Sequence, residues 1–278
     1  MIVEYYGVGD NVCEWDYLQG VLNHLNLDDT FKVHVVSVTQ EWDYIDKVIL
    51  EEGKTNVIIG LHDEYMTDNI PKEWQDNASV VVFKVYLLEN QEKGNVYSLP
   101  LGFNRKHKKL ANKPISARSI DVFFAGHMSS TKRRHYMRWV TDYFQGMEVS
   151  KRPKLDFNIS KGFNLGMSGE EYSQKLHDSK IVVCPAGNCS METFRHYEAM
   201  RSGAVVVSPK LPNTKIYKDA AICQVEEWET NVGDTIMDLL SDLDMLQLVQ
   251  ERQQQTYNNR YTAKSIAKYI NELLPTSK

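Results

Sequence analysis

The chain has 278 residues, of which 42% are hydrophobic and 25% charged, and its formal net charge is −5. This composition is typical of a globular protein with one large or two smaller cores, and two domains are expected. The negative charge argues against a dedicated nucleic-acid-binding protein, which usually carries a strongly basic surface. No segment approaches the ~18 apolar residues of a membrane-spanning helix, so no membrane span is expected.

The four cysteines predict reduced thiols. Cys13, Cys184, Cys189 and Cys223 have no C-x-x-C spacing, and four cysteines in a chain of this length do not make a disulfide framework. The sequence starts directly with a strand-like run, Ile2–Tyr6. These features together predict a cytoplasmic protein.

Residues 1–104 alternate strand and helix signals, a pattern typical of a Rossmann-like α/β domain. Short apolar runs rich in β-branched residues predict the strands, and longer segments between turn residues predict the helices. The predicted elements are the strands Ile2–Tyr6, Phe31–Val38, Asn56–Gly60, Ser79–Leu88 and Val96–Leu101, and the helices Glu14–Leu25 and Trp42–Glu52.

Proton-transfer groups follow the predicted strand Asn56–Gly60, in the run Leu61-His62-Asp63-Glu64-Tyr65. Because α/β proteins place ligands at the carboxyl ends of buried strands, Asp63 is a candidate general base facing a cleft between the two domains. Asp10 occupies the equivalent position after the first strand and is the alternative base. For each aspartate alone, the competing interpretation is a turn-capping residue, because Asp is common in turns.

Residues 105–117 are basic, polar and interrupted by Pro114, so we interpret them as a linker to a second α/β domain over residues 118–278. The chain ends in helices, and the terminal helix either belongs to this second domain or packs back on the first. The predicted elements are the strands Ile120–Gly126, Ile181–Cys184 and Ala204–Val207, and the helices Lys132–Gly146, one beginning at Glu170, Met191–Arg201, Val232–Arg252 and Ala263–Leu274.

The helix Lys132–Gly146 combines a core-facing stripe with a basic first turn. Its cations lie at the positive end of the helix dipole, which is unfavourable unless an anion such as a diphosphate lies in front of them. Arg133 and Arg134 are therefore candidate phosphate ligands, and a solvated basic helix end is the alternative. The predicted core stripe consists of Tyr136, Trp139, Val140, Tyr143, Phe144 and Met147.

The segment Lys180–Ser208 predicts a βαβ unit around a binding loop. The continuous apolar run Ile181–Cys184 is typical of a parallel strand covered on both faces, and a Pro-Gly turn follows it. Ser190 is the expected N-cap of the helix Met191–Arg201. Gly203 ends this helix before a second strand. A turn and helix start at a strand's carboxyl end form a crevice that attracts phosphate.

Arg195 and Glu198 are three residues apart and therefore project from one face of this helix. Arg195 supplies a cation that can bind phosphate, and Glu198 supplies a carboxylate that can bind sugar hydroxyls. This combination suits a nucleotide ligand. The alternative is an intrahelical ion pair, although Arg preceding Glu is the less favourable order. A metal site has little support, because Asp242-Leu-Asp244 is the only Asp-x-Asp and is expected to face solvent, and His62 with Asp63 lacks a recognisable spacing.

The run Cys184-Pro185-Ala186-Gly187, followed by Thr193 to Val207, resembles the exostosin-like glycosyltransferases, family 47 of the glycosyltransferase classification. Their signature reads C-P-x-G and then S-x-R-x-x-E-A-[LIM]-x-x-G-[CA]-x-[PV]-V, and Arg195, Glu198, Ala199 and Gly203 match its spacing. Thr193, Ala186 and Val206 replace the usual Ser, Arg and Pro. Residues Phe123–Gly126, Arg133 and Arg134 are similar to that family's strand and basic helix start.

This resemblance implies a GT-B architecture, with two Rossmann-like domains facing a central cleft, as in the compact members found in microbes and large viruses. It implies an inverting, metal-independent hexosyl- or pentosyltransferase without a cofactor. The donor is a nucleotide-diphosphate sugar, UDP-linked by preference and for example UDP-xylose, and the acceptor is a hydroxyl of an oligosaccharide or glycoprotein. The implied donor-binding residues are Arg133, Arg134, Pro185, Gly187, Asn188, Ser190, Thr193, Arg195 and Glu198.

In this interpretation Asp63 or Asp10 is the base, and Arg195 stabilises the departing diphosphate. Two alternatives remain open at this stage. The first is a nucleotide-sugar-binding module that has lost catalysis, and the second is a sugar-nucleotide epimerase of the same architecture.

Overall fold

The fold was determined from a computed structural model of the chain. It describes residues 2–9, 12–37, 44, 46–61, 70–162, 165–188 and 190–275. Contacts within the chain define two compact units. Unit 1 comprises Met1–Gly102, Pro212–Lys218 and Arg260–Lys278, and unit 2 comprises Phe103–Leu211 and Asp219–Asn259.

Each unit is built on a parallel sheet of five strands in the part of the chain that the structure describes. The strands are β1 Val3–Tyr6, β2 Phe31–Ser37, β3 Thr55–Leu61, β4 Val80–Lys84, β5 Val96–Ser98, β6 Ile120–His127, β7 Leu155–Ser160, β8 Ser179–Val183, β9 Val205–Pro209 and β10 Cys223–Val225. The helices are α1 Trp15–His24, α2 Lys72–Gln75, α3 Thr131–Gly146, α4 Gly169–Asp178, α5 Phe194–Arg201, α6 Trp228–Ser241, α7 Leu243–Thr256 and α8 Ala263–Leu273. The α/β class predicted from the sequence is confirmed.

The sheet of unit 1 has the order β1-β2-β3-β4-β5, with all neighbours parallel. Every residue of β2 and β4 is buried, and valines form most of their apolar residues, Val33, Val35 and Val36 in β2 and Val80–Val82 in β4. The helix α8 belongs to this unit and packs against α1.

The sheet of unit 2 has the order β10-β9-β8-β6-β7 and is also parallel throughout. After β6 the chain adds β7 on one side of β6, and it then returns to add β8 on the other side. The strand order therefore changes direction at β6 and β8. In open α/β sheets a ligand crevice lies at the carboxyl ends of the strands at this point.

Two edge strands, β7 and β10, were absent from the sequence prediction. β7 alternates apolar and polar residues and none of its residues is fully buried, so it lacks the continuous apolar run that marks β8. β10 has only three residues. A short or half-exposed edge strand leaves a weak signal because only one side and part of one face are covered.

The helix predicted over Trp42–Glu52 is wrong for its described part, since residues 46–52 are not helical. Val48 and Leu50 pack against the core of unit 1 with a spacing of two. The side chain of Asn56 accepts from the backbone N–H of Glu51 at 2.9 Å and donates to its carbonyl at 3.1 Å. This amide satisfies backbone groups that a helix would otherwise have paired.

The helix predicted over Val232–Arg252 is two helices, α6 and α7, because Asp242 interrupts it. Asp242 has an extended backbone, with φ −131° and ψ 96°, and its Oδ1 accepts the N–H of Met245 at 2.9 Å. An aspartate that caps a new helix competes with continuation of the old one. Asp242 and Asp244 are both exposed, as the sequence predicts.

The predicted core stripe of α3 is wrong at Trp139, which is 39% exposed. The buried residues of α3 that form the core are Met137, Val140 and Phe144. At 3.6 residues per turn Trp139 lies about 130° from the middle of that stripe. Its indole Nε1–H donates to Nε2 of His135, one turn earlier, at 3.3 Å.

The glutamine-rich end of α7 pairs with the backbone of β9. Gln253 is 1% exposed; its Oε1 accepts the N–H of Val206 at 2.7 Å, and its Nε2 donates to the Val206 carbonyl at 3.2 Å. We expect Gln253→Leu to destabilise the protein by about 2–3 kcal/mol, because two buried backbone groups lose their partners. Urea unfolding measures the change. Gln255→Leu is the matched control, since Gln255 is exposed, and equal midpoints for the two variants would contradict this role.

Candidate active site

Two loops at the carboxyl ends of β6 and β8 form the candidate site in unit 2. Residues 128–130 connect β6 to α3, and residues 184–193 connect β8 to α5. Ser130 caps α3, since its Oγ accepts the N–H of Arg133 at 3.3 Å, and it reaches the second loop by donating to the Gly187 carbonyl at 3.4 Å. The site therefore lies where the strand order predicts a crevice.

The second loop is shaped by Gly187. Its N–H donates to the Ser190 carbonyl at 2.7 Å, and a Cβ at this position would lie 2.8 Å from the Glu192 carbonyl oxygen. Only glycine fits this close approach of backbone to backbone. Pro185 is buried and Asn188 is exposed in the same loop.

The prediction that Ser190 caps α5 is wrong. The helix begins at Phe194, and its N-cap is Thr193, which has an extended backbone. Ser190 accepts the N–H of Glu192 at 3.2 Å within the loop, and the Thr193 N–H donates to Nδ1 of His196 at 3.2 Å. The helix starts three residues later than predicted because residues 190–192 form a turn with their own local hydrogen bonds.

Arg195 lies in the first turn of α5 and is 9% exposed. Its Nε and Nη2 donate to the Ala125 carbonyl at 2.9 and 2.5 Å, and its guanidinium carbon lies 4.7 Å from the centre of the Phe124 ring. Nη1 is buried and has no hydrogen-bond partner among the described residues. A buried charged donor without a partner is costly, so this geometry favours an anionic ligand beside Nη1.

Arg133 and Arg134 both donate to backbone carbonyls near the start of α3. Arg133 is buried, and it donates from Nε to the Ala186 carbonyl at 3.0 Å and from Nη1 to the His127 carbonyl at 2.9 Å. Arg134 is exposed and donates to the Met128 carbonyl at 2.6 Å. Arg133 thus links the end of β6 to the second loop, while both cations stay at the amino-terminal end of α3.

Glu198 faces into unit 2 and is 3% exposed. Its Oε1 accepts the N–H of Asn104 at 3.0 Å, and its Oε2 accepts the Tyr172 hydroxyl at 2.8 Å. Burial raises the pKa of this carboxyl, against these hydrogen bonds. No salt bridge joins Glu198 to Arg195, since each is engaged elsewhere, so the intrahelical ion pair considered from the sequence does not form. Each carboxylate oxygen keeps a second lone pair.

The predicted bases cannot be placed, because Asp10 and Asp63 lie outside the described residues, as do His62, Glu64 and Tyr65. Among the residues that are described, no group of three or more His, Cys, Asp and Glu side chains could hold a metal ion. The same part of the chain contains no helix long and apolar enough to cross a membrane.

Sequence reasoning missed the contacts that Phe124, Ala125 and Gly126 make with Arg195. A Cβ at Gly126 would lie 2.6 Å from Nη2 of Arg195, so the guanidinium occupies the space that a side chain would need. The available signal was the small pair Ala125-Gly126 near the carboxyl end of a buried strand.

We compared the sequence and the structure with known proteins. No protein-family model matches the sequence, and no characterised protein sequence matches it. Among solved structures, the GtfA/B complex aligns with 94% of this chain at a TM-score of 0.52 and 11% identity, and this chain spans 60% of the length of that chain.

Two further solved structures are similar over nearly the whole chain. A glycosyltransferase from Rickettsia africae aligns with 97% of this chain and 84% of its own, at a TM-score of 0.51 and 11% identity. WaaG, a glycosyltransferase involved in lipopolysaccharide biosynthesis, aligns with 99% of this chain and 100% of its own, at a TM-score of 0.50 and 9% identity. These proteins are GT-B glycosyltransferases, and the chain shares their fold.

Proposed function

We propose that this chain is an inverting glycosyltransferase that moves a sugar from a nucleotide-diphosphate donor to a glycan hydroxyl without an essential metal. The exostosin-like motif supports a UDP-linked donor, and the shared GT-B fold supports nucleotide-sugar chemistry. The acceptor is an oligosaccharide or glycoprotein, and the reaction takes place in the cytoplasm.

The observation that carries this proposal is the unpartnered Nη1 of Arg195 at the carboxyl edge of β6 and β8. Arg195 lies in the first turn of α5, and Arg133 and Arg134 add two positive charges in the first turn of α3, which follows β6 at the same edge of the sheet. A diphosphate is the ligand whose charge and oxygen acceptors match these donors. In the buried site such charge-assisted hydrogen bonds are stronger than in water.

The reaction follows from these groups. A carboxylate base, Asp63 or alternatively Asp10, takes the proton of the acceptor hydroxyl as its oxygen attacks the anomeric carbon. The bond from that carbon to the diphosphate oxygen breaks on the opposite face, so the configuration inverts. Arg195 stabilises the negative charge that develops on the departing diphosphate.

The remaining predicted residues bind the donor in this proposal. The loop residues Pro185, Gly187, Asn188, Ser190 and Thr193 surround the diphosphate with Arg133 and Arg134. Glu198 accepts ribose hydroxyls with its free lone pairs, while its existing hydrogen bonds from Asn104 and Tyr172 fix its orientation.

A thermal-shift panel of UDP-, GDP- and dTDP-linked sugars tests the donor class, because a ligand that binds the folded state raises the melting temperature. We expect UDP-sugars to give the largest shift. The nucleotide sugar that gives the largest shift is then incubated with the protein, and release of the nucleoside diphosphate by slow hydrolysis is measured. No shift with any nucleotide sugar would contradict the proposal.

The same assay separates the alternatives. Asp63→Asn or Asp10→Asn is expected to lower turnover while leaving the thermal shift unchanged. Donor binding without turnover would identify a binding module, and a changed sugar on the intact nucleotide would identify an epimerase. If neither aspartate variant alters turnover, the base assignment is wrong.

A further inference from the structure

The carboxyl end of β6 surrounds the guanidinium of Arg195 on three sides. The Phe124 ring faces the guanidinium carbon at 4.7 Å, and the Ala125 carbonyl accepts from both Nε and Nη2. Gly126 leaves open the space that Nη2 occupies. We call Phe124, Ala125 and Gly126 the Arg195 cradle.

These contacts fix which nitrogen stays available. Two hydrogen bonds to one carbonyl oxygen define the plane of the guanidinium, and the ring beneath it limits tilting. Nη2 could not keep its position if residue 126 carried a side chain, since a Cβ would lie 2.6 Å from Nη2 and 3.7 Å from the guanidinium carbon. In this orientation Nη1 is the buried donor without a partner among the described residues.

We infer that Gly126 is a positioning residue, which acts through Arg195 by allowing the guanidinium to lie flat in the cradle with Nη1 directed at the diphosphate. This inference rests on the proposed function. Gly126 itself is partly exposed and its φ is not positive, so its lack of a side chain matters here for space and not for backbone conformation. Fixing a charged donor before the ligand arrives removes an ordering cost from binding.

The test is a double-mutant cycle on the affinity for UDP and for inorganic pyrophosphate, measured by calorimetry. Gly126→Ala is expected to weaken the binding of both ligands by about tenfold in the wild-type background, since the displaced guanidinium no longer directs Nη1 at the diphosphate. In an Arg195→Lys background the clash with Nη2 no longer exists, so the same substitution is expected to change affinity less than twofold. Gly146→Ala is the matched control, because a Cβ there meets nothing within 4 Å.

The outcomes decide separately between this inference and the proposed function. If Gly126→Ala weakens binding equally in both backgrounds, the methyl group acts directly and the positioning role is wrong. If Arg195→Lys alone leaves the affinity for both ligands unchanged, the diphosphate site itself is wrong. If Gly126→Ala fails to fold, recovery of the folded protein by adding Arg195→Lys supports the coupling, and failure to recover contradicts it.

Discussion

Arg195→Met is expected to lower the rate of donor turnover about 10²–10³-fold and to weaken UDP binding at least about tenfold. Methionine keeps an apolar stem over the Phe124 ring but removes the charged donors. The larger loss is in turnover because the diphosphate becomes more negative as the bond to the sugar breaks. Release of UDP from a UDP-sugar and calorimetric binding of UDP measure the two effects.

The matched control for this variant is Arg138→Met in α3. Arg138 is exposed, and its Nε pairs with the exposed Asp142 at 3.1 Å. We expect wild-type turnover from this control. If the Arg195→Met protein folds and turns over the donor at the wild-type rate, Arg195 takes no part in the reaction.

Acidification from pH 7 to pH 5 is expected to destabilise the protein by about 4 kcal/mol through two buried histidines. Burial lowers the pKa of His107 and that of His196 to about 3 each. Both are therefore neutral in the folded state, whereas in the unfolded chain each binds a proton below its ordinary pKa of about 6.5. Their stabilising contribution is complete above pH 6.5 and is lost progressively as the pH falls toward 3.

Neutral replacements test this assignment. The His107 Nε2 and Ser202 Oγ are 2.9 Å apart, and the His196 Nε2 and Ser208 Oγ are 2.8 Å apart, so glutamine can retain a polar contact at each position. His107→Gln and His196→Gln are each expected to reduce the loss of stability between pH 7 and pH 5 by about 2 kcal/mol. Denaturant unfolding at both pH values measures this loss. His135→Gln, at an exposed position, serves as control. If stability depends on pH in His107→Gln and His196→Gln as it does in the wild type, the two histidines do not cause the acid destabilisation.

The interior of the fold was predictable because its signals are local. β3, β6 and β8 are covered on both faces, and their continuous apolar runs predict these strands from the sequence. The failures lie where a polar side chain hydrogen-bonds to nearby backbone and overrides the helical pattern. The Asn56 side chain supports an extended segment where a helix was predicted, and Asp242 caps a new helix inside a long helical pattern.

The site was predictable only in part. Arg195 follows from its spacing to a strand end, because a helix start at that point attracts anions. Its cradle involves residues 70 positions away, and no local pattern contains such a contact. The same holds for Glu198, whose hydrogen-bond partner Asn104 lies 94 positions earlier. The general base remains a prediction, since Asp10 and Asp63 are both outside the described residues.

The central claim is that a donor diphosphate binds at the buried Nη1 of Arg195. A crystal structure of the protein with UDP tests it most directly. We predict a phosphate oxygen within about 3 Å of Nη1, in contact with the loop of residues 184–193. UDP bound elsewhere, with Nη1 still lacking an anionic partner, would contradict the account.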